Sequence, residues 1–329
     1  MDLTESLLNS KRLEGDALAD SFVQAIFARP ELRQALYDWL TQLQSNKSLK
    51  EIPEFLQKYE LITSASALPQ WADPKLLKAG TSFFSRYSEQ IMQLLGVFSL
   101  PYCYAAADGA MVLYMSHRLR NDAAKRLKDT GEFVMNVQST GAFEAEGKAL
   151  SSILKIRITH SAARYYTVKS GKRSDQWGIP VNQEDMAGTN LAFSLIVVRG
   201  LRKLGFSISY EDQASFMHLW AVIGSLLGIT EDLIPQSGKE AFNLEGRIRE
   251  RQFKASEHGR ELTKSLIQAF GELNADATVS AKEIKQLMCY LLEPEVSEIL
   301  GISDAQVPVY MPFFLKTLTG LRYWTGRIN

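Results

Sequence analysis

Apolar residues recur at three- and four-residue spacing along nearly the whole chain, and alternating apolar–polar runs with hairpin turns are nearly absent. The pattern predicts helices near 16–28, 30–45 and 51–60, and a long one from Pro74 to about Val97. Pro30 suits a first helical turn, where no backbone N–H is required. Pro69 and Asp73-Pro74 mark a loop over 61–73, and Pro101 with the small-residue run Ala105 to Gly109 interrupts the next stretch. Helices are then expected over 109–118, 120–138 and 143–168, ending at the polar turn Ser170 to Asp175. Asn182 is a candidate N-cap for a helix to about Leu204, closed by Gly205. Ser209 caps another that ends near Gly228, with Asp212 supplying negative charge to its first turn. Residues 238–271, 279–292 and 304–322 complete the set. The expected fold class is therefore all-α. No Pro-, Gly- or Ser-rich linker divides the chain, so one large helical domain over 1–329 is expected, with helices of 1–75 and 238–329 around a central bundle.

Composition narrows the class. The 329 residues are 46% hydrophobic and 22% charged, as in an ordinary globular protein. Lys plus Arg and Asp plus Glu each number 37, so the net charge is zero. That balance excludes a broad nucleic-acid face, which needs a basic excess, and is compatible with a homo-oligomer. The two cysteines, Cys103 and Cys289, stand far apart in apolar contexts, with neither a disulfide framework nor zinc spacing. The acidic start Met1-Asp2-Leu3-Thr4-Glu5 does not read as a secretory signal, and no apolar run is long enough for a membrane span. A cytoplasmic location is the expectation.

Candidate chemistry centres on few residues. Of four histidines, His160 stands on a stripe with Ile153, Ile156, Ala163 and Thr167, one face of a helix. It is either a core histidine bonded to a backbone carbonyl or an axial ligand, since a neutral imidazole facing an apolar slot is how proteins hold haem iron. Arg126 and Thr130 share an otherwise apolar face with Ala123, Phe133 and Val137. They are either half of an ion pair with Glu144 or Glu146, or a cation and hydroxyl over a bound ligand. Arg157 and Arg164 flank His160 and suit either a haem propionate or an ordinary salt bridge. His218 reads as a packing histidine, His117 as solvated and His258 as exposed, and Arg247 to Arg251 as a solvated mixed-charge surface. Phosphate-binding loops, dinucleotide fingerprints, Gly-x-Ser-x-Gly, His-Glu-x-x-His and paired Glu-x-x-His elements are absent.

Four segments in order carry a resemblance. Arg126-Leu127-Lys128-Asp129-Thr130, Ile158-Thr159-His160-Ser161-Ala162-Ala163-Arg164, Trp177 to Asp185, and His218-Leu219-Trp220 with Gly224 and Leu227-Gly228-Ile229 resemble elements of the latex-clearing-protein and MpaB oxygenase family, over about residues 95 to 230. The resemblance implies an all-α fold with a globin-like core and a non-covalent haem b. His160 matches the proximal iron ligand, and Arg126 and Thr130 match distal-side residues. Covalent attachment is excluded because no Cys-x-x-Cys-His is present. Two positions depart from the family pattern. The rubber-cleaving members carry lysine immediately before the threonine, where this chain has Asp129. The region matching their glutamate base, near Ala106 to Ala110, offers only Asp108. Both departures weigh against cleavage of polyisoprene by the same mechanism. The expected function is a haem-dependent oxygenase using dioxygen or peroxide on a small apolar, lipid- or terpenoid-like substrate. The alternatives are a haem carrier or sensor without turnover, and a helical interaction protein without cofactor.

Overall fold

Local signals start and stop most of the helices. In a computed structural model, residues 1, 3–115, 123–171, 174–273 and 280–306 are described, without the side chains of 175, 272 and 273. Thr4 caps α1 (Glu5–Arg12), Asp16 caps α2 (Ala17–Phe27), and α3 (Pro30–Gln42) begins on Pro30. The helix expected over 51–60 does not form. Pro53, which cannot donate a backbone hydrogen bond, is followed by a single 3-10 turn, Glu54–Leu56, and then by the one-turn α4 (Glu60–Thr63). The long pattern from Pro74 is α5 (Pro74–Leu94), interrupted at Tyr87 and continued by a π-helical turn, Leu95–Ser99. Then come α6 (Leu100–Ala105), α7 (Ala107–Met115) and α8 (Ala123–Gln138).

The next helix, α9 (Ala149–Lys169), starts later than the expected residue 143, because the carbonyls of Ala142, Glu144, Ala145 and Gly147 accept from Asn46 and Lys47 in place of a helical ladder. Asn182 caps α10 (Gln183–Phe193) by accepting from the Asp185 N–H. The helix expected to reach 204 breaks at Ser194 (φ −113°, ψ −79°) before α11 (Leu195–Lys203). At this break the Ala192 carbonyl accepts the Ser99 hydroxyl at 2.6 Å instead of continuing the helical ladder unaided. Ser209 caps α12 (Tyr210–Leu226) as expected. The run 238–271 is two helices, α13 (Gly238–Gln252) and α14 (Glu257–Leu273). Between them Phe253 forms an isolated bridge with Ala106, and the Lys254 N–H bonds the Ala105 carbonyl. A complete capping box of Ser280 and Glu283 opens α15 (Ala281–Leu291), and α16 (Pro294–Ile299) follows. Most of the helix expected over 304–322, and His117, lie outside the described residues. No strand occurs among the described residues, so the fold is all-α. No described helix is long and apolar enough to cross a membrane.

Chain contacts divide the molecule into two compact units, each assembled from separated segments. The first comprises Met1–Ser85, Phe133–Asn190 and Ala214–Glu240. Its main cluster packs Phe22, Val23 and Ile26 of α2 and Leu36 of α3 against Leu150, Leu154 and Ile158 of α9. Each such side chain contributes about 1.5–3 kcal/mol on full burial. Gly80 lets α5 approach α12, since a Cβ there would lie 2.6 Å from the Ser215 carbonyl oxygen. The second unit comprises Arg86–Glu132, Leu191–Gln213 and the described chain from Ala241. In it α14 packs on α6, α7 and α15. The buried Glu245 carboxylate accepts from the Tyr102 phenol and from Arg199 at 2.6 Å.

Candidate functional site

α9 is covered on more than one side. Leu150, Leu154 and Ile158 enter the cluster of the first unit. The stripe bearing His160 is less deeply covered: Ile153 is buried, while Ile156, His160, Ala163 and Thr167 are each half-buried. The Nδ1 of His160 is nevertheless buried and has no hydrogen-bond partner. A core histidine bonded to a backbone carbonyl would have satisfied that atom. Burial pushes the imidazole down to about 4, with Arg164 adding to the effect and Asp16 opposing it. The ring is therefore neutral at physiological pH, the form in which histidine ligates metal.

The helix around His160 is held by carboxylates of α2 and its cap. Arg157 bonds both Asp16 oxygens through Nε (2.5 Å) and Nη2 (3.0 Å). Asp20 accepts from Ser161 Oγ at 2.6 Å and from Arg164 Nε at 2.7 Å. Gly228, at a φ of 92°, leaves room for the Asp16 carboxylate that a Cβ would occupy. Of the two readings open for Arg157 and Arg164, both residues form the salt bridge. The physical reason is proximity: α2 is the principal packing partner of α9 and brings two acids to it. Arg164 keeps one group in reserve. Its Nη1 bonds the Val181 carbonyl at 2.9 Å, but its Nη2 is buried and unpartnered. Val181 holds a φ of 51°, unusual for a β-branched residue and costing about 1–3 kcal/mol.

Arg126 and Thr130 belong to the second unit. Both are half-buried, as the shared face required. Glu146 meets Lys47, and among the described residues no carboxylate pairs with Arg126. Its guanidinium lies 5.2 Å over the Tyr104 ring, and its Nη1 is buried without a partner. Burial lowers it to about 10, so it stays cationic at neutral pH. The Thr130 hydroxyl donates to the Arg126 carbonyl one turn back at 2.8 Å, leaving its lone pairs to accept. Asp129 is exposed. Asp108 is engaged by Lys254 at 2.9 Å. Among the described residues no group of three or more His, Cys, Asp and Glu is placed to hold a bare metal ion.

Among the other histidines, His218 is committed to structure: its Nε2 accepts from the Asp73 N–H at 3.0 Å, and its ring meets Trp71 edge-on. His258 is half-buried rather than exposed, because its Nε2 lies 2.7 Å from the Ala107 carbonyl and joins α14 to α7. Burial lowers the His218 pKa from 6.5, with Asp73 opposing. A base whose folded pKa is depressed stays neutral while the unfolded chain takes up a proton, so stability is lost as pH falls below about 6.5 and is unaffected above it. Thermal melts should show the melting temperature falling as pH drops below about 6.5, with a shallower fall in His218→Gln. An unchanged slope in the variant would show that the Asp73 bond does not couple to protonation.

The profile of the family described as ER-bound oxygenase mpaB/B'/rubber oxygenase, catalytic domain, matches residues 91–319. The chain belongs to this family. The rubber oxygenase of Streptomyces sp. (strain K30) is 24% identical over 251 residues, covering 75% of this chain. The chain spans 61% of that relative's length. A solved structure of latex clearing protein in the closed state superposes with a TM-score of 0.82 at 23% identity, covering 94% of this chain and 85% of the other. That likeness concerns the fold.

Several family-like segments serve as tertiary ties. In Trp177 to Asp185, the Trp177 carbonyl and Asp185 carboxylate both accept from Arg12, and Val181 accepts from Arg164. The Trp220 indole donates to the buried Gln138 at 3.2 Å. Sequence reasoning missed Asp16, Asp20, Arg12 and Tyr104. The first three pair with residues more than 140 positions away, so no local spacing signals them. Tyr104 was readable only as one more apolar-run aromatic.

Proposed function

We propose that this family member is a haem b-dependent oxygenase acting on a small apolar, lipid- or terpenoid-like substrate, with dioxygen or peroxide as oxidant. The observation that carries the reading is the neutral His160 imidazole, whose buried Nδ1 has no hydrogen-bond partner. A core histidine is expected to be bonded, whereas an imidazole that holds an iron needs to be neutral with one ring nitrogen free, as Nδ1 is here. The chemistry supplied by the bound haem is activation of the oxidant. His160 would hold its iron, and the unpartnered Nη2 of Arg164 is suited to one carboxylate edge of the cofactor, the part of the propionate expectation that its Asp20 bond leaves open. Arg157 has both Asp16 oxygens and holds α9 instead. Arg126 offers a fixed positive charge and Thr130 an acceptor oxygen, roles assigned through the family match.

The purified protein should carry about one b-type haem per chain, with the spectrum of a histidine-ligated iron, extractable by acid–acetone. Substrate-dependent oxygen or peroxide consumption with unsaturated lipids or terpenoids then distinguishes an oxygenase from a carrier. A protein that stays colourless after haem addition would refute the cofactor, and a haem protein without turnover on such a panel would favour the carrier.

A further inference from the structure

Two polar groups in the second unit are buried with nothing to bond. Tyr104 is 0% exposed, and its phenol oxygen has no hydrogen-bond partner. Arg126 stacks on that ring, and its Nη1 is equally buried and unpartnered. A buried donor left unsatisfied bears its full desolvation penalty, and a buried cation without a counter-charge bears more. Both groups can donate, and no described carboxylate answers the charge. Beside them, α6, which carries Tyr104, packs on α7, whose residues Met111, Val112, Leu113, Tyr114 and Met115 are all only half-buried.

We infer that Tyr104 and Arg126 form a binding site for the carboxylate head of an apolar-chain acid, with the chain lying along α7. This narrows the substrate class proposed above and rests on that reading for its catalytic meaning. A carboxylate offers two acceptor oxygens and one negative charge, which matches one guanidinium edge and one phenol. A phosphate would bring up to two charges against a single arginine, and a neutral hydroxyl would leave the arginine unneutralised.

The test is calorimetric titration of the protein as purified with decanoate and with decanol. Wild type is expected to bind decanoate more tightly than decanol. Tyr104→Phe should weaken decanoate about tenfold, and Arg126→Met about 10- to 100-fold, with decanol unchanged in both. Without ligand, Tyr104→Phe should melt at or above the wild-type temperature, because it removes an unsatisfied buried hydroxyl. Three results would each overturn the assignment: decanol binding as tightly as decanoate, Tyr104→Phe binding decanoate like wild type, or no decanoate binding at all, which would leave the two donors to water. The haem spectrum is read separately. A colourless protein that still selects decanoate through Tyr104 keeps the site and removes the oxygenase reading; a haem protein indifferent to decanoate does the reverse.

Discussion

His160→Ala is expected to lose haem while remaining helical. The imidazole is the proposed single protein bond to the iron, and outer partners of a metal ligand alone cost about 10- to 100-fold in affinity, so loss of the ligand itself should cost at least about 100-fold. The polypeptide should tolerate the change. His160 is half-buried and its Nδ1 makes no hydrogen bond, so alanine removes a neutral ring with that nitrogen unbonded from a helix held by Asp16–Arg157 and Asp20–Arg164. Circular dichroism should therefore be retained while the Soret band is lost, and imidazole added to the buffer should restore part of that band. His218→Ala is the control. Its Nε2 serves the Asp73 N–H, so its loss should lower the melting temperature and leave haem in place. If His218→Ala empties the protein and His160→Ala does not, the ligand has been misassigned.

The second large effect is expected at Arg126. Losing a charge-assisted bond to a substrate head costs about 10- to 100-fold, and losing a preorganised donor at a reacting oxygen about 100- to 1,000-fold in rate. Arg126→Ala should fall within these ranges for substrate-dependent oxygen uptake, with haem content near wild type. A purely structural arginine would behave otherwise: losing its stacking on the Tyr104 ring would cost about 0.5–2 kcal/mol of stability and leave ligand binding untouched. Cyanide and imidazole affinities measured on the haem-loaded variant separate the two cases, and unchanged values with unchanged turnover would show that Arg126 only packs on Tyr104. Thr130→Val should have a smaller effect, because the Thr130 hydroxyl proton is already given to the Arg126 carbonyl. Asp129→Lys restores the residue type of the rubber-cleaving relatives at an exposed position, so on its own it should not create activity on polyisoprene.

The order of four weak motifs was enough to place the chain in its family, and the 91–319 profile match agrees with that reading. Periodicity was enough for the helical class, because a 3.6-residue repeat of apolar positions is a local property. Caps at Asn182, Ser209 and Pro30 were legible for the same reason: each acts on a backbone group within a few residues. Helix breaks were less legible where a distant group intervenes. The interruption at Ser194 coincides with the Ser99 hydroxyl on the Ala192 carbonyl, and the one at Phe253 with a bridge to Ala106.

Of the candidate site, the sequence by itself determined which residues share a helical face: His160 with Ile156 and Ala163, and Arg126 with Thr130. It could not determine their partners. Whether Arg157 and Arg164 meet acids of the chain depended on α2 delivering Asp16 and Asp20 to α9; that packing engages Arg157 through both Asp16 oxygens and leaves the Arg164 Nη2 without a partner. Whether Arg126 is neutralised depended on the absence of any described carboxylate within reach and on the Tyr104 ring beneath it. Composition and spacing describe a side chain's chemistry and direction. Burial and hydrogen-bond satisfaction, which decide whether that chemistry is spent on the fold or left for a ligand, arise only from contacts distant in sequence.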